Sequence, residues 1–400
     1  MVYMELIRTI KLKLNQPKSM FEKTIQAYTK AYNYVCQTGY DSRDFNGVSL
    51  HHKTYKTTRK YLSADLSISA RVKATESLKS WKTIKKNTEK ENQKRTKYNQ
   101  THINKRPKKL LKLPKCPQSK FCSIRYNDKT FTTWFNRNKV SIQTLNGRQK
   151  FKISIPKYFQ QYINWKRQSA ELFINKNGVF LHITFKKDVE DPTPNGKYVG
   201  IDRGINKIAV CSDNRFFGGS HIKQVSNKYE QLRSRLQSAN TKSAKRHLKK
   251  ISKKENSFRA DANHCISKQI ANTIESGTTI LLEDLTGIRN RCNFKKNERK
   301  QVHKWNFYQL EQFLTYKAAS KGIVVKHIDA RYTSQRCSKC GHTEKANRSS
   351  QSVFKCKHCN FSLNADLNAS RNIILKYLDS ISYLSRADVN QPIVASSLRR

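Results

Sequence analysis

The stretch "KYVGIDRGINKIAVCSD" (Lys197–Asp213) carries the fold. Tyr198 to Ile201 is an apolar run of strand length that stops at Asp202, Gly204 permits a tight turn, and "KIAVCSD" reads as a returning strand. A carboxylate at the end of a buried strand can face a cleft, although a single such Asp is more often a turn cap. The pattern recurs in "TTILLEDLTGIR" (Thr278–Arg289), where Thr279 to Leu282 form the strand and Glu283 ends it. A third acid, Asp366, opens "ADLNASRNIILKYL", in which Leu367, Ile373, Ile374 and Tyr377 fall at helical spacing. An acid in a first helical turn is ordinary dipole compensation on its own. Three carboxylates in the order strand end, strand end, helix start are the ligand set of an RNase H-like nuclease, in which two Mg²⁺ ions about 4 Å apart hold the scissile phosphate.

"CSKCGHTEKANRSSQSVFKCKHC" (Cys337–Cys359) has the spacing C-x₂-C-x₁₅-C-x₂-C. Cys337, Cys340, Cys356 and Cys359 are therefore expected to hold a tetrahedral Zn²⁺ ion. Four protein thiolates leave no open position, so that ion is structural. His342 and His358 lie close by but are surplus to a saturated site. Cys36, Cys116, Cys122, Cys211, Cys265 and Cys292 are scattered and expected to be inert, reduced thiols.

The chain has 400 residues, with 80 Lys and Arg against 28 Asp and Glu, a formal charge of +52. Only a polyanion matches that density, with counterion release as the driving force, so the partner is nucleic acid. Nothing resembles an 18-residue apolar span. The opening "MVYMELIRTIKLKLNQ" alternates apolar and basic residues as an edge strand does, so an intracellular, cytoplasmic protein with no membrane partner is expected. Between Lys223 and Arg259 twelve Lys and Arg stand against two Glu, with Tyr229, Leu232 and Leu236 on one helix face; this basic helix is expected to line a substrate channel.

The N-terminal half reads differently. After the first strand, Phe21, Ile25, Tyr28, Tyr32 and Val35 mark one helix, and Leu66, Ile68, Val72, Leu78 and Trp81 mark another that opens at a Ser63 cap. Lys82 to Lys115, with thirteen Lys and Arg, reads as a flexible basic arm. Strand character then runs through residues 120–190, with "NKNG" as a hairpin turn, and these strands could close a small nucleic-acid-holding barrel. "DVEDPTPNGK" (Asp188–Lys197) is the main linker.

Taken in order, "GIDRGI", "LLEDL", "YTSQRCSKCG", "CKHC" and "NADLNASRNI" resemble the RuvC and zinc-ribbon signature of the TnpB family, the transposon-encoded ancestors of type V CRISPR effectors. The resemblance covers motifs from Lys197 to Leu378; the N-terminal half matches in layout alone. It implies an α/β plus β-barrel fold. The RNase H-like (RuvC) nuclease domain would be built from residues 191–333 and 363–381, with the zinc ribbon inserted at 334–362. An oligonucleotide-binding-like wedge barrel (1–16 and 116–190) would precede it, with a helical recognition insert and basic arm at 17–115, and residues 382–400 would form a disordered tail.

It further implies an RNA-guided DNA endonuclease that binds a structured guide RNA and double- and single-stranded target DNA; one protein copy per RNA is expected, with the two-copy arrangement of the smallest type V effectors as the alternative. Asp202, Glu283 and Asp366 would hold the Mg²⁺ ions and the four cysteines the zinc. Motif reading beside the target would fall to the N-terminal helices, with Tyr55, Arg71, Lys73 and Lys79 as contacts. One departure is Asn364, where many relatives carry an acid. An RNA-guided repressor without cleavage and a transposase are the alternatives; the intact acids disfavour the first, and the position of Glu283 and of the zinc module disfavours the second.

Overall fold

A computed structural model describes residues 3–286 and 307–389, and the side chains of residues 5–286 and 307–382. Cys292 and residues 390–400 of the expected tail lie outside these. The chain forms two compact units that divide between Val189 and Glu190.

The first unit contains strands β1 (Tyr3–Leu14), β2 (Ile124–Tyr126), β3 (Phe131–Trp134), β4 (Lys139–Thr144), β5 (Gly147–Lys152), β6 (Lys166–Asn175) and β7 (Gly178–Glu190). They make a four-stranded sheet, β1-β7-β6-β2, and a three-stranded sheet, β3-β4-β5. An antiparallel bridge between Leu14 and Ile153 links them, leaving β2 and β3 as edge strands. Alternate residues, such as Ile10, Leu12 and Leu14 on β1 and Leu181, Ile183 and Phe185 on β7, fill one shared core, as the two-residue strand period requires.

Three helices follow β1: α1 (Ser19–Asp41), α2 (Gly47–Thr58) and α3 (Ala64–Thr101). The α1 stripe is the expected one, with Phe21, Ile25, Tyr28, Tyr32 and Val35 all buried. The α3 stripe is not: Leu66, Ala70, Ala74 and Leu78 are buried, whereas Ile68, Val72 and Trp81 stay half-exposed. Alanine lets α3 approach α1 closely, and a search for bulky residues passes over it. Ser63 does occupy the cap position of α3, but its side chain makes no cap hydrogen bond.

The basic arm is a correction. Residues 82–101 are the second half of α3, and residues 108–114 run back along it. Asn92 exchanges two hydrogen bonds with the backbone of Leu111, Asn99 does the same with Lys108, and Trp81 Nε1 donates to the Pro114 carbonyl. Side-chain amides thus mimic a strand partner, and Arg95–Glu91 and Lys85–Glu89 pairs support a helix that has no apolar face.

The second unit is a five-stranded sheet of order β10-β9-β8-β11-β12. Its strands are β8 (Tyr198–Asp202), β9 (Lys207–Cys211), β10 (Phe216–Gly218), β11 (Thr279–Glu283) and β12 (Val324–Ile328). β8, β11 and β12 are parallel; β9 and β10 are antiparallel to their neighbours. Helices α4 (Ser220–Ala239), α5 (Lys242–Thr273), α6 (Phe307–Ala319) and α7 (Ala365–Val389) accompany the sheet. Because residues alternate along β11, Ile280 and Leu282 pack with Ile270, Leu310 and Leu314 on one face, and Leu281 packs with Ile373 of α7 on the other. The basic Lys223–Arg259 stretch is split between α4 and α5, which are tied by the buried Glu255 between Arg233 and Arg259. α7 continues to Val389, into the stretch expected to be disordered. Strands β13 (Val353–Lys355) and β14 (Ser362–Asn364) form a small hairpin inside the cysteine module.

Candidate functional site

Parallel pairing sets the first two acids side by side. Ile201 of β8 faces Leu282 of β11, so Asp202 and Glu283, one residue further on, end adjacent strands at the same edge. The third acid arrives on α7, whose first turn holds Asp366. α7 can lie this close to β8 because Gly200 has no side chain: a Cβ there would stand 2.0 Å from the Ser370 carbonyl oxygen.

The acids sense one another. Burial, followed by the charges of Glu283 and Asp366, pushes the Asp202 carboxyl well above the usual carboxylate range. Burial also raises Glu283, against a hydrogen bond from Thr333 and the charge of Arg203, and raises Asp366 against the charges of Arg348 and Lys207. Glu283 is 8% exposed, and its carboxylate accepts from Thr333 Oγ1 at 2.5 Å. Arg348 Nη2 lies 3.4 Å from Asp366 Oδ1. Burial raises all three carboxyls, and the charges of Glu283 and Asp366 raise Asp202 further.

In the cysteine module the Sγ atoms of Cys337 and Cys359 are 3.7 Å apart, those of Cys340 and Cys356 3.6 Å apart, and all four lie within 4.8 Å of one another. A tetrahedron of thiolates around zinc has S···S edges of roughly 3.8 Å, so the quartet fits that ion. Gly341 and Asn360, each just after the second cysteine of a pair, take left-handed φ values of 78° and 54°, which turn the chain back toward the sulfurs. Asn347, fully buried, donates to the carbonyls of Gln335 and His342 and accepts from the Lys357 amide, pinning both halves of the module.

Residues 182–285 match the family model OrfB_IS605, described as a probable transposase, and residues 307–373 match the Cas12f1-like TNB domain. A CRISPR-associated endodeoxyribonuclease Cas12f1 from Sulfoacidibacillus thermotolerans is 44% identical over 127 residues, 31% of this chain and 28% of the relative. The TnpB-like protein MJ0751 from Methanocaldococcus jannaschii is 29% identical over 242 residues, 57% of this chain and 85% of the relative. The chain is similar to proteins of the TnpB family. It spans about a quarter of the length of the Cas12f1 relative and most of the shorter TnpB-like one. The fold agrees with that of Cas12f1 in a complex with sgRNA and target DNA, at a TM-score of 0.59 and 13% identity over 92% of this chain and 98% of the other.

The TnpB signature "NADLNASRNI" can now be read residue by residue. Asn364 Oδ1 accepts from the amides of Asp366 and Leu367, capping α7. The departure from an acid at this position therefore keeps the cap. Asp366 joins the acids, Ala369 and Ser370 pack in the interior with Ser370 meeting β8 at Gly200, and Asn368 and Asn372 donate to backbone carbonyls of the loop entering the cysteine module.

Sequence reasoning did not find Arg203. Its side chain is 1% exposed, donating to the Glu283 carbonyl at 2.5 Å and pairing with Glu311 at 2.6 Å. Among 80 cations nothing in its type singles it out, although its place right after Asp202 in "GIDRGI" could have.

The four expected nucleic-acid contacts, all in the first unit, do not converge. Lys73 is held by Glu171 at 2.5 Å and by Ser123 Oγ at 2.6 Å. Arg71 and Lys79 line one open groove of about 750 Å³ together with Arg43 and Lys82. Tyr55 packs against His51 along α2 with its ring tilted by 31°, at a ring-centroid distance of 4.5 Å.

Proposed function

We propose that this chain is an RNA-guided DNA endonuclease with an RNase H-like (RuvC) centre made by Asp202, Glu283 and Asp366. The observation that supports this reading most is the placement of Asp202 and Glu283 at the ends of adjacent parallel strands, with the charges of Glu283 and Asp366 both raising Asp202. The +52 charge and relatives named as an endodeoxyribonuclease and as a putative RNA-guided DNA endonuclease support DNA and a guide RNA as partners; one protein copy per RNA is part of the proposal.

Asp202, Glu283 and Asp366 would hold two Mg²⁺ ions, which supply Lewis-acid polarisation of the scissile phosphate when bound. The chain's own part is positioning. Arg203 fixes the end of β11 through the Glu283 carbonyl, Thr333 orients one oxygen of Glu283, and Asn364 sets the helix start that carries Asp366. Zinc in the cysteine quartet would be structural. Residues 191–333 and 363–381 form the nuclease domain in this reading, 334–362 the zinc ribbon, 1–16 and 116–190 the wedge barrel, and 17–115 the recognition insert, with Tyr55, Arg71 and Lys79 facing the target duplex. Base pairing with the guide supplies sequence selection.

The test is expression with flanking DNA from the native locus, sequencing of the co-purifying RNA, and a cleavage assay with that RNA. One dominant RNA with a constant structured part and a variable end, and cutting that Asp202→Ala abolishes, is the expected outcome. A mixture that follows cellular RNA abundance would overturn the guided reading.

A further inference from the structure

The strand ends that carry Asp202 and Glu283 are held from the other side of the sheet. Residues alternate along β8, so Asp202 shares the face of Gly200, which meets α7, and Arg203 falls on the face of Ile201, which packs with Leu310 and Leu314 of α6. One residue thereby touches both ends. The Arg203 backbone amide donates to the Asp202 carboxylate, and its Nη2 donates to the Glu283 carbonyl at 2.5 Å.

A guanidinium so placed carries a cost. It is always charged, and with its side chain 1% exposed it is little screened by water. Its charge already acts on the acids, opposing the burial that raises Glu283. A divalent cation at the same carboxylates meets that charge as repulsion. Glu311 of α6 stands against it: Oε2 accepts from Arg203 Nη1 at 2.6 Å, and Oε1 lies 3.0 Å from His327 Nε2. His327 of β12 is in register with Leu282, which packs on the α6 face, so both oxygens of Glu311 are engaged there. Arg203 Nε has no partner among the described residues, so Glu311 and the Glu283 carbonyl fix the guanidinium between them.

We propose that Glu311 is a positioning residue of the acidic centre, neutralising Arg203 so that this arginine fixes the ends of β8 and β11 without repelling the divalent cations that the acids would hold. It rests on the endonuclease reading for the presence of those cations. Three carboxylates are the all-oxygen donor set that a hard cation such as Mg²⁺ takes. A neutral side chain of the same shape as Glu311 would still hold the guanidinium but leave its charge uncancelled. The three acids therefore depend on a fourth carboxylate, on the opposite face of the sheet.

The test uses the full chain, stripped of RNA by high salt, with Mn²⁺ as the probe and the free ion followed by electron paramagnetic resonance. The sites counted are those that Asp202→Ala removes. Glu311→Gln keeps an acceptor for Arg203 and should weaken these sites roughly tenfold. In cutting assays with the co-purified RNA, the Mg²⁺ concentration for half-maximal rate should rise by a similar factor, with the rate at saturating Mg²⁺ within about threefold of wild type. Arg203→Gln combined with Glu311→Gln removes both charges, so no buried arginine is left unpaired and the test stands even where the single variant does not fold. Its Mn²⁺ affinity should stay within about threefold of wild type, the small loss being that of the bond to the Glu283 carbonyl. Unchanged Mn²⁺ affinity in Glu311→Gln, even with a lowered melting temperature, overturns the proposal, and so does a loss of about tenfold in the double variant. Mn²⁺ held and weakened in this way by a chain that cuts nothing keeps the role of Glu311 and removes the endonuclease reading.

Discussion

Gly200 of β8 lies against the Ser370 carbonyl of α7 so closely that a single added carbon would sit 2.0 Å from the oxygen. The seat of Asp366 therefore depends on the absence of a side chain two residues before Asp202. Gly200→Ala must push α7 away from the sheet. A loss of about 1–3 kcal/mol is expected from overpacking alone, with DNA cutting reduced further than stability. Thermal melts and cleavage rates on the same sample check this, and an unchanged rate would detach the helix seat from activity.

The raised acids give a pH signature. Asp202, Glu283 and Asp366 all titrate above their ordinary values, so the folded chain holds protons that the unfolded chain has released. Stability is thus lost as pH rises from the ordinary carboxylate range through the raised values. In Asp202→Asn this loss should be smaller, so the melting temperature of the variant minus that of the wild type should grow from about pH 5 to pH 8 in metal-free buffer. Mg²⁺ should raise the wild-type melting temperature, more at pH 8 than at pH 5. A difference that stays flat with pH would count against mutual repulsion.

Cys337→Ser should lower bound zinc and folded yield together. A structural zinc site contributes on the order of 10 kcal/mol of apparent binding energy in small modules, so partial compensation by three thiolates is insufficient. Metal analysis of the purified variant checks it; full zinc stoichiometry would remove Cys337 from the ligand set.

Asn92→Ala together with Asn99→Ala removes four hydrogen bonds between α3 and the returning segment. Limited proteolysis should then cut within residues 102–115 at least several-fold faster, while the melting temperature of the core is nearly unchanged. Equal cutting rates would mean that the segment is held by other contacts.

How much was legible in sequence depended on what each residue does. Asp202, Glu283 and Asp366 stood out by their joint order, since each alone reads as a turn or helix cap, and the four cysteines stood out by their fixed spacing. The strands of both units were legible by period and by turn residues. Gly200 was not, since a glycine's value here lies in what approaches it across the sheet. Arg203 looked like one more surface cation and proved buried, and Lys82 to Thr101 looked like loose chain because a helix braced by asparagines and ion pairs shows no apolar period. Lys73 and Lys79 are of one type on one helix, yet Glu171 claims the first and the second lines an open groove.

Asn368 and Asn372 grip the loop that leads into the cysteine quartet, while Arg348, from between the two cysteine pairs, reaches Asp366. The consequence is an order of maturation. In the proposed reading, a freshly synthesised chain that has not yet captured zinc would lack the loop on which α7 is seated, and so a fixed third acid. Such a chain would hold polyanions through its charge without cutting them. Zinc supply would then set when the chain becomes dangerous to DNA.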